Sequence, residues 1–248
     1  MQNKNILLTI SYDGTNFFGW QKQDGVKTIQ GHLETALSNL FKQPISIRGA
    51  SRTDTGVHAL CQLALLKHKT SIPIQRLPLA INSFLNTKDI VVTNAVYVDE
   101  NFHPQNNVYK KTYQYKIYNA PFLNPLIKNY TEFVHKPLNI EQMNLATKYF
   151  LGEHDFKAFC ASGTNAKTTI RTIYDLSVTK QDDIITIEIT GNGFLYNMVR
   201  IIAGTLIEVG LLKKKPEDIK HIIQSKNRQK AGKTASACGL VLYKIYYK

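Results

Sequence analysis

Residues 28–68 read TIQGHLETALSNLFKQPISIRGASRTDTGVHALCQLALLKH, and this stretch contains the signals that decide the fold. Its first part, Thr28–Lys42, is predicted to be a helix, because its apolar side chains recur at the spacing of one helix face: Ile29, Leu33, Ala36, Leu37, Leu40 and Phe41. Pro44–Ala50 and Val57–His68 are predicted strands around a loop that contains Asp54. A helix is therefore followed by a strand, a loop and a second strand.

The rest of the N-terminal part places a strand before this stretch and a helix and a strand after it, so that its order is strand, helix, strand, strand, helix, strand. The residues from 110 onward show a similar order. Tyr113, Tyr115 and Ile117 alternate along a strand, which predicts that they share one face. The predicted elements outside the first stretch are Asn5–Tyr12, Ile74–Leu85, Asp89–Val98, Lys111–Asn119, Ile140–Leu151, Arg171–Thr179, Ile184–Thr190, Gly193–Leu211, Pro216–Gln224 and Cys238–Tyr246.

This order predicts an α+β fold made of two pseudo-duplicated β-α-β-β-α-β halves, with mainly antiparallel sheets and a central cleft. We expect residues 1–105 to form an N-terminal half that contains the Asp54 loop. Residues 106–248 would form a C-terminal half that contains the strand with Tyr113 and the helix with Arg200. A cleft between two such halves is a natural place for a large substrate.

The composition is that of a folded, basic protein. Of 248 residues, 43% are hydrophobic and 20% are charged, and 31 Lys and Arg against 18 Asp and Glu give a net charge of +13. Such an excess favours polyanionic partners, nucleic acid above all. The region 213–233 is the most basic, although a solvated lysine-rich face would give the same pattern.

Cysteines, histidines and apolar runs exclude several other classes. The three cysteines lie far apart, which excludes a disulfide scaffold and a CxxC metal site. The seven histidines show no metal-ligand spacing, and neither a P-loop nor HExxH is present. The apolar stretch 194–212 contains Arg200 and Glu208, so it predicts a buried helix and not a membrane span. We therefore expect a cytoplasmic protein without a metal and without a membrane.

The loop Gly49–Ala59 has the composition of a candidate catalytic loop. Asp54 and Gly56 are ordinary turn residues, so a structural role alone would explain them. Arg52, two residues before Asp54, adds a guanidinium that would favour the ionised carboxylate. An ionised and positioned Asp can act as a nucleophile.

Asp54-Thr55-Gly56 is also the triplet of aspartic proteases, which need two such aspartates that share a proton. This chain has one DTG triplet, so a protease would have to dimerise to build its site. The adjacent Arg52 would disfavour the shared proton. This alternative is therefore disfavoured.

Arg200 and Tyr113 are two further candidates. Arg200 lies among apolar residues, where a guanidinium needs a partner. Glu208 could be that partner, or the side chain could extend to the surface and keep its charge in water. Alternatively, Arg200 could reach Asp54 across the cleft. Tyr113 could be a core aromatic residue, or it could stack on a base.

The sequence resembles the TruA family of tRNA pseudouridine synthases over nearly its whole length. Seven segments contain this resemblance: Tyr12-Asp13-Gly14-Thr15 with Gly19-Trp20-Gln21, Thr28-Ile29-Gln30, Arg52–Ala59, Lys111–Tyr115, His154–Phe159, Gly193–Arg200 and Thr234–Leu240. The segment RTDTGVHA is the most specific of them.

The resemblance implies an isomerase that needs neither a cofactor nor a metal. It implies that uridine is converted to pseudouridine at positions 38, 39 and 40 of the tRNA anticodon stem-loop, by a homodimer that binds one tRNA across both subunits. Asp54 matches the family's nucleophile, Arg52 the arginine of base flipping, Tyr113 the tyrosine packed on the target base, and Arg200 the basic partner of the aspartate. Lys167 and His58 are further expected RNA contacts.

Gln105 departs from the family's pattern. It stands where the resemblance leads us to expect an RNA-binding arginine, and a neutral amide cannot make a charged, forked contact. Ser236 similarly replaces a usual proline. Two alternatives follow: a paralogue with an altered RNA target, and an RNA-binding protein without catalysis.

Overall fold

A computed structural model describes residues 4–163 and 166–248 of the chain. The chain divides into two compact units: unit 1 contains the residues up to Tyr109 together with Leu242–Lys248, and unit 2 contains Lys110–Val241. Within the described ranges, no helix has both the length and the apolar character that a membrane span requires.

The described residues form strands and helices in mixed order. The strands are β1 (Lys4–Tyr12), β2 (Ile47–Gly49), β3 (His58–Leu66), β4 (Ile90–Asp99), β5 (Val108–Tyr118), β6 (Glu132–Phe133), β7 (Gly152–Asp155), β8 (Ile170–Gln181), β9 (Ile184–Gly191) and β10 (Leu240–Tyr247). The α-helices are α1 (Ile29–Phe41), α2 (Leu77–Asn82), α3 (Ile140–Thr147), α4 (Met198–Gly210) and α5 (Asp218–Ser225). Antiparallel pairs are β1–β3, β1–β4, β2–β3, β5–β9, β7–β8 and β8–β9, and β5 pairs in parallel with β6. The predicted α+β class with mainly antiparallel sheets is confirmed.

Unit 1 has the predicted order β-α-β-β-α-β, with β1 in the middle of its sheet. The strand order is β4-β1-β3-β10, and β2 also pairs with β3. Leu7 and Leu8 of β1 are both buried although they point to opposite faces, so both faces of this strand are covered. α1 begins where the Thr28 hydroxyl accepts the N–H of Gly31. Ile29, Leu33, Ala36 and Leu37 of its predicted apolar stripe lie in the core, whereas Leu40 and Phe41 are partly exposed.

Unit 2 contains the strand with the predicted tyrosine alternation. Its strand order is β5-β9-β8-β7, with β6 beside β5. Tyr113, Tyr115 and Ile117 are all buried, as the period of two predicted. α4 is apolar nearly all round and buried nearly all round, which agrees with the sequence.

The start of one predicted helix of unit 2 and the end of another differ clearly from the structure. The helix predicted from Gly193 begins at Met198, because Asn197 has φ +58° and a left-handed residue cannot continue a right-handed helix. The helix predicted to Leu151 is α3 followed by a 3₁₀ turn at Lys148–Phe150. Gly152, which was interpreted as the helix end, begins the short strand β7 that the sequence pattern did not predict.

Candidate active site

Asp54 lies in a tight turn between β2 and β3. Its carbonyl oxygen accepts a hydrogen bond from the N–H of Val57 at 3.1 Å. Gly56, the third residue of the turn, has φ +77°. This geometry is typical of a type II turn, and glycine adopts it without steric cost. The Asp54 side chain is half-buried, so its environment is neither solvent nor core.

The segment that follows β1 contacts this loop along its length. The hydroxyl oxygens of Tyr12 and Thr53 are 2.8 Å apart in a buried hydrogen bond. A side chain at Gly14 would overlap the carbonyl group of Val57, so the two backbones touch there. The N–H of Gly56 donates to the carbonyl oxygen of Phe17 at 3.3 Å.

Further backbone contacts hold the residues before Asp54. The N–H of Trp20 donates to the carbonyl oxygen of Thr53 at 3.1 Å. Gly19 has φ +78°, and a Cβ there would lie 2.5 Å from that same carbonyl oxygen. From β3, the buried amide of Gln62 donates to the carbonyl oxygen of Ser51 at 2.7 Å. The backbone that presents Asp54 is thus fixed by two separate segments of unit 1.

His58 is buried at the end of this loop. Its Nδ1 accepts the N–H of Gly14 at 3.0 Å, and the same nitrogen lies 3.1 Å from Oδ1 of Asp13. The ring is only 4% exposed. The geometry therefore gives His58 a role in joining the loop to β1, and its predicted RNA contact stays a prediction.

Arg52 and Gln105 line one cavity of about 580 Å³ in unit 1. Both side chains are exposed, although they are more than fifty positions apart in the sequence. Arg48 and Lys67 line the same cavity. Two predicted site residues are thus brought together, beside two cations that the sequence analysis did not single out.

Tyr113 lies on β5 of unit 2 and is 7% exposed. Its ring meets the ring of Phe194 edge to face, with 5.1 Å between the centroids. Such a pair stabilises one orientation of the tyrosine ring. Phe194 lies in the segment before α4 that was predicted to be helical, and its packing role was not inferred from the sequence.

Arg200 is half-buried in the first turn of α4. Its Nε donates to the carbonyl oxygen of Ala235 at 2.8 Å, and its Nη1 donates to Oδ1 of Asn197 at 2.9 Å. Glu208, a candidate partner, lies further along α4 and pairs with Lys214 at 3.5 Å. The predicted approach of Arg200 to Asp54 stays a prediction. Lys167, a predicted RNA contact, is exposed before β8.

Two ionisable groups on β5 have shifted pKa values. Burial lowers the pKa of Lys111 to about 8. Burial and the negative charge of Glu132 raise the pKa of Tyr115 far above its usual range. The Tyr115 hydroxyl donates to the carbonyl oxygen of Ser236 at 2.9 Å and lies 3.2 Å from Glu132, so it remains a neutral donor.

No group of three or more His, Cys, Asp or Glu side chains is placed to share a metal ion within residues 4–163 and 166–248.

Comparison with known proteins assigns the chain to a family. Residues 8–105 and 146–248 match the family described as tRNA pseudouridine synthase. The chain belongs to the TruA family of tRNA pseudouridine synthases. These enzymes are isomerases.

Relatives in this family are similar over the full length. Proteins named tRNA pseudouridine synthase A from Thermoanaerobacter sp. (strain X514) and Caldicellulosiruptor bescii are 49% and 48% identical over 244 residues, which is 98% of this chain and 100% of each relative. A protein named tRNA pseudouridine synthase A 2 from Clostridium tetani is 48% identical over 246 residues, covering 98% of this chain and 99% of that protein.

The contacts around Asp54 explain why the TruA-like segments occur together in this chain. Tyr12, Gly14, Gly19 and Trp20, which belong to the first of those segments, all contact the loop of RTDTGVHA. Their contacts with this loop are not predictable from the motif alone. The two glycines were the available signal, since glycine marks a close approach of two backbones.

Proposed function

We propose that this chain converts uridine to pseudouridine at positions 38, 39 and 40 of the tRNA anticodon stem-loop, with Asp54 as nucleophile. The observation that supports the proposal is the Asp54 turn, which backbone and side-chain contacts hold from two sides. A fixed carboxylate can approach one sugar carbon repeatedly in the same geometry, which is a large part of catalysis by positioning.

The reaction moves the base without net addition or loss of atoms. The bond between C1′ and N1 breaks, the base turns, and a bond between C1′ and C5 forms. N1 gains a proton and C5 loses one to solvent. Asp54 would attack C1′ directly, or would remove a proton from C2′ to give a glycal. Both routes need the carboxylate in its ionised form.

The remaining predicted residues have supporting roles in this proposal. The target base must leave the stacked stem, and Arg52, exposed beside Asp54, would occupy the vacated space. Tyr113, whose ring is oriented by Phe194, would pack on the flipped base. Arg200 would be the basic partner of Asp54. Lys167 and His58 are kept as proposed RNA contacts.

The test is release of tritium from C5 of uridine in an unmodified tRNA transcript. The purified chain should release tritium as water, and Asp54→Asn and Asp54→Ala should release none while they fold and bind tRNA. Asp24→Asn, an exposed aspartate in another loop of unit 1, is the matched control and should retain full release. Transcripts that retain one uridine each would assign the release to positions 38, 39 or 40. Release by a folded Asp54→Ala protein would overturn the role of Asp54.

The alternatives are outcomes of the same experiment. Release from other positions alone would indicate a paralogue with an altered RNA target. Salt-sensitive tRNA binding without release from any transcript would indicate a binding protein. Gln105 is the observation that favours either alternative, since it places a neutral amide in the cavity beside Arg52.

We also propose a cytoplasmic homodimer that binds one tRNA across both subunits. The basic composition, with a net charge of +13, supports an RNA partner. Light scattering of the protein with and without tRNA should give the mass of two chains and then of two chains with one tRNA. One tRNA on each chain would contradict the shared binding.

A further inference from the structure

The cavity beside the Asp54 loop is a groove with an excess of positive charge. Arg48, Arg52 and Lys67 line it and are all exposed. Its remaining described lining residues are apolar or neutral polar, and none is Asp or Glu. Three cations around a volume of about 580 Å³ raise the potential there and attract an anion.

These three charges have no compensation inside the described part of the protein. None of the three cations has a carboxylate within ion-pair distance among residues 4–163 and 166–248. Lys22, which is close in sequence to the groove residue Gln21, is by contrast paired with Glu34 at 3.2 Å. The groove cations are thus available to an external anion.

The wall that presents Arg48 is rigidly built. Arg48 follows Ile47 on β2. The N–H of Ile47 donates to Oε1 of the buried Glu34 at 3.1 Å. The buried amide of Gln30 donates to the carbonyl oxygen of Ile47 at 3.1 Å and to Glu34 at 2.9 Å. Gly49, on the other side of Arg48, packs against the indole of Trp20. The backbone of Arg48 is therefore fixed from both sides.

His103 contacts the Arg48 side chain and orients it. Nη1 of Arg48 lies 2.9 Å from Nε2 of His103. A guanidinium can only donate, so the imidazole accepts and is neutral, and the other N–H groups of Arg48 remain for a ligand. The N–H of Gln105 lies 3.3 Å from Nδ1 of the same ring. A neutral imidazole has one accepting nitrogen. With Nε2 accepting from Arg48, Nδ1 carries the ring proton and does not accept the N–H of Gln105.

We propose that Arg48, held by His103 and assisted by Lys67, binds phosphate groups of the RNA backbone in this groove. The charged, forked group that is missing at Gln105 is thus supplied from β2. The groove includes Arg52, two residues before Asp54, so the phosphates bound there belong to nucleotides near the target. This inference rests on the proposed function for the identity of the RNA.

The test compares tRNA affinity at a series of salt concentrations for Arg48→Gln and Lys67→Gln. Each substitution should lower the salt slope by about 1, because one phosphate contact is lost. The Kd at low salt should rise on the order of tenfold, and the KM for tRNA should rise more than kcat falls. Lys69→Gln removes an exposed lysine two positions from Lys67 that does not line the groove, and it should leave the slope unchanged.

A double-mutant cycle tests the role of His103. If His103 holds Arg48 in place, Arg48→Gln should raise the Kd less in the His103→Ala background than in the unchanged chain. Additive effects would overturn that part of the proposal. Thermal unfolding of each variant checks that the fold is retained.

Failure of this inference is distinguishable from failure of the proposed function. Tritium release with unchanged salt slopes in Arg48→Gln and Lys67→Gln would overturn the groove and leave the isomerase intact. Equal loss of slope in Lys69→Gln would also overturn the groove, because it would indicate a diffuse effect of charge. Reduced slopes in the groove variants without any tritium release would support the groove and reject the isomerase.

Discussion

The phenolic oxygen of Tyr12 lies 2.8 Å from the hydroxyl oxygen of Thr53, the residue immediately before Asp54. Tyr12 is the last residue of β1, so this contact joins the proposed catalytic loop to the central strand of unit 1. Tyr12→Phe removes one buried hydrogen bond and should lower the free energy of unfolding by about 1 kcal/mol. Since the loop would lose one of its positioning contacts, tritium release should fall on the order of tenfold.

Tyr97→Phe is the control for this change. Tyr97 lies on β4 of the same unit and is 47% exposed, so loss of its hydroxyl should alter neither urea unfolding nor tritium release. Equal activities of the Tyr12 and Tyr97 variants would show that the hydroxyl of Tyr12 does not position the loop.

Gly19 and Gly25 provide a matched pair of substitutions. Both have positive φ, at +78° and +77°, so alanine costs about 1–2 kcal/mol of backbone strain at either position. At Gly25 the new Cβ meets nothing within 4 Å, whereas at Gly19 it would lie 2.5 Å from the carbonyl oxygen of Thr53. Gly19→Ala should therefore lower both stability and tritium release further than Gly25→Ala. Urea unfolding and the release assay together check this, and equal loss in both variants would contradict it.

The order of helices and strands could be predicted from the sequence because local periodicity encodes it. The apolar stripe of Thr28–Lys42 and the alternation from Tyr113 to Ile117 both describe which face a residue presents. The alternation is confirmed, and the stripe is confirmed up to Leu37. The start of α4 could not be placed, because a left-handed Asn197 leaves no trace in hydrophobic periodicity. β7 was missed since glycine at residue 152 equally suits a helix end and a strand start.

The contacts of the candidate site join residues that are far apart in the sequence, so local periodicity does not predict them. His103 and Arg48 are 55 positions apart, and Tyr12 and Thr53 are 41 positions apart. Such pairs depend on how strands and loops are placed in three dimensions, which periodicity does not report. Motif resemblance could indicate that Tyr12 and Asp54 matter, and only the fold relates one to the other.

Arg200→Met tests whether this guanidinium serves the reaction or the fold. The substitution removes hydrogen bonds to Ala235 and Asn197, which should lower the free energy of unfolding by about 1–3 kcal/mol. If Arg200 is the basic partner of Asp54, tritium release should fall by a larger factor than this loss of stability explains. Arg228→Met is the matched control, because Arg228 likewise donates to Gly232 and Thr234 within unit 2.

The Arg228 variant should lose stability and keep its activity. Measurement at a temperature well below both unfolding transitions separates the two effects. If the two variants lose similar amounts of stability and also similar amounts of tritium release, Arg200 serves the fold alone.

Gln105→Arg should tighten tRNA binding. The side chain is exposed and lines the groove of Arg48, Arg52 and Lys67, so a new guanidinium there adds one phosphate contact. The salt slope of binding should become steeper by about 1. Asn106→Arg adds the same charge at the next exposed position, outside the groove lining, and should change the slope less. An unchanged slope in Gln105→Arg would show that this position does not face phosphate.

Lys111 makes the stability of the protein depend on pH in the alkaline range. Burial lowers its pKa from 10.5 to about 8, so between these values the unfolded chain binds a proton that the folded chain has released. The contribution of Lys111 to stability must therefore rise with pH across this window, and below pH 8 the full cost of burying the charge is present. The difference corresponds to at most about 3 kcal/mol.

Lys111→Met should remove this dependence, because methionine has a similar length and no charge to bury. The variant should be more stable than the unchanged chain at pH 7, and the difference should shrink as the pH rises above 8. Urea unfolding of both proteins from pH 7 to pH 10 measures that difference, and the ionisation of other side chains cancels in it. Lys116→Met, at the other end of the same strand, controls for the loss of a lysine from β5. The free energies of unfolding of Lys111→Met and of the unchanged chain could instead differ by the same amount at every pH. That result would show that Lys111 is charged in the fold at little cost.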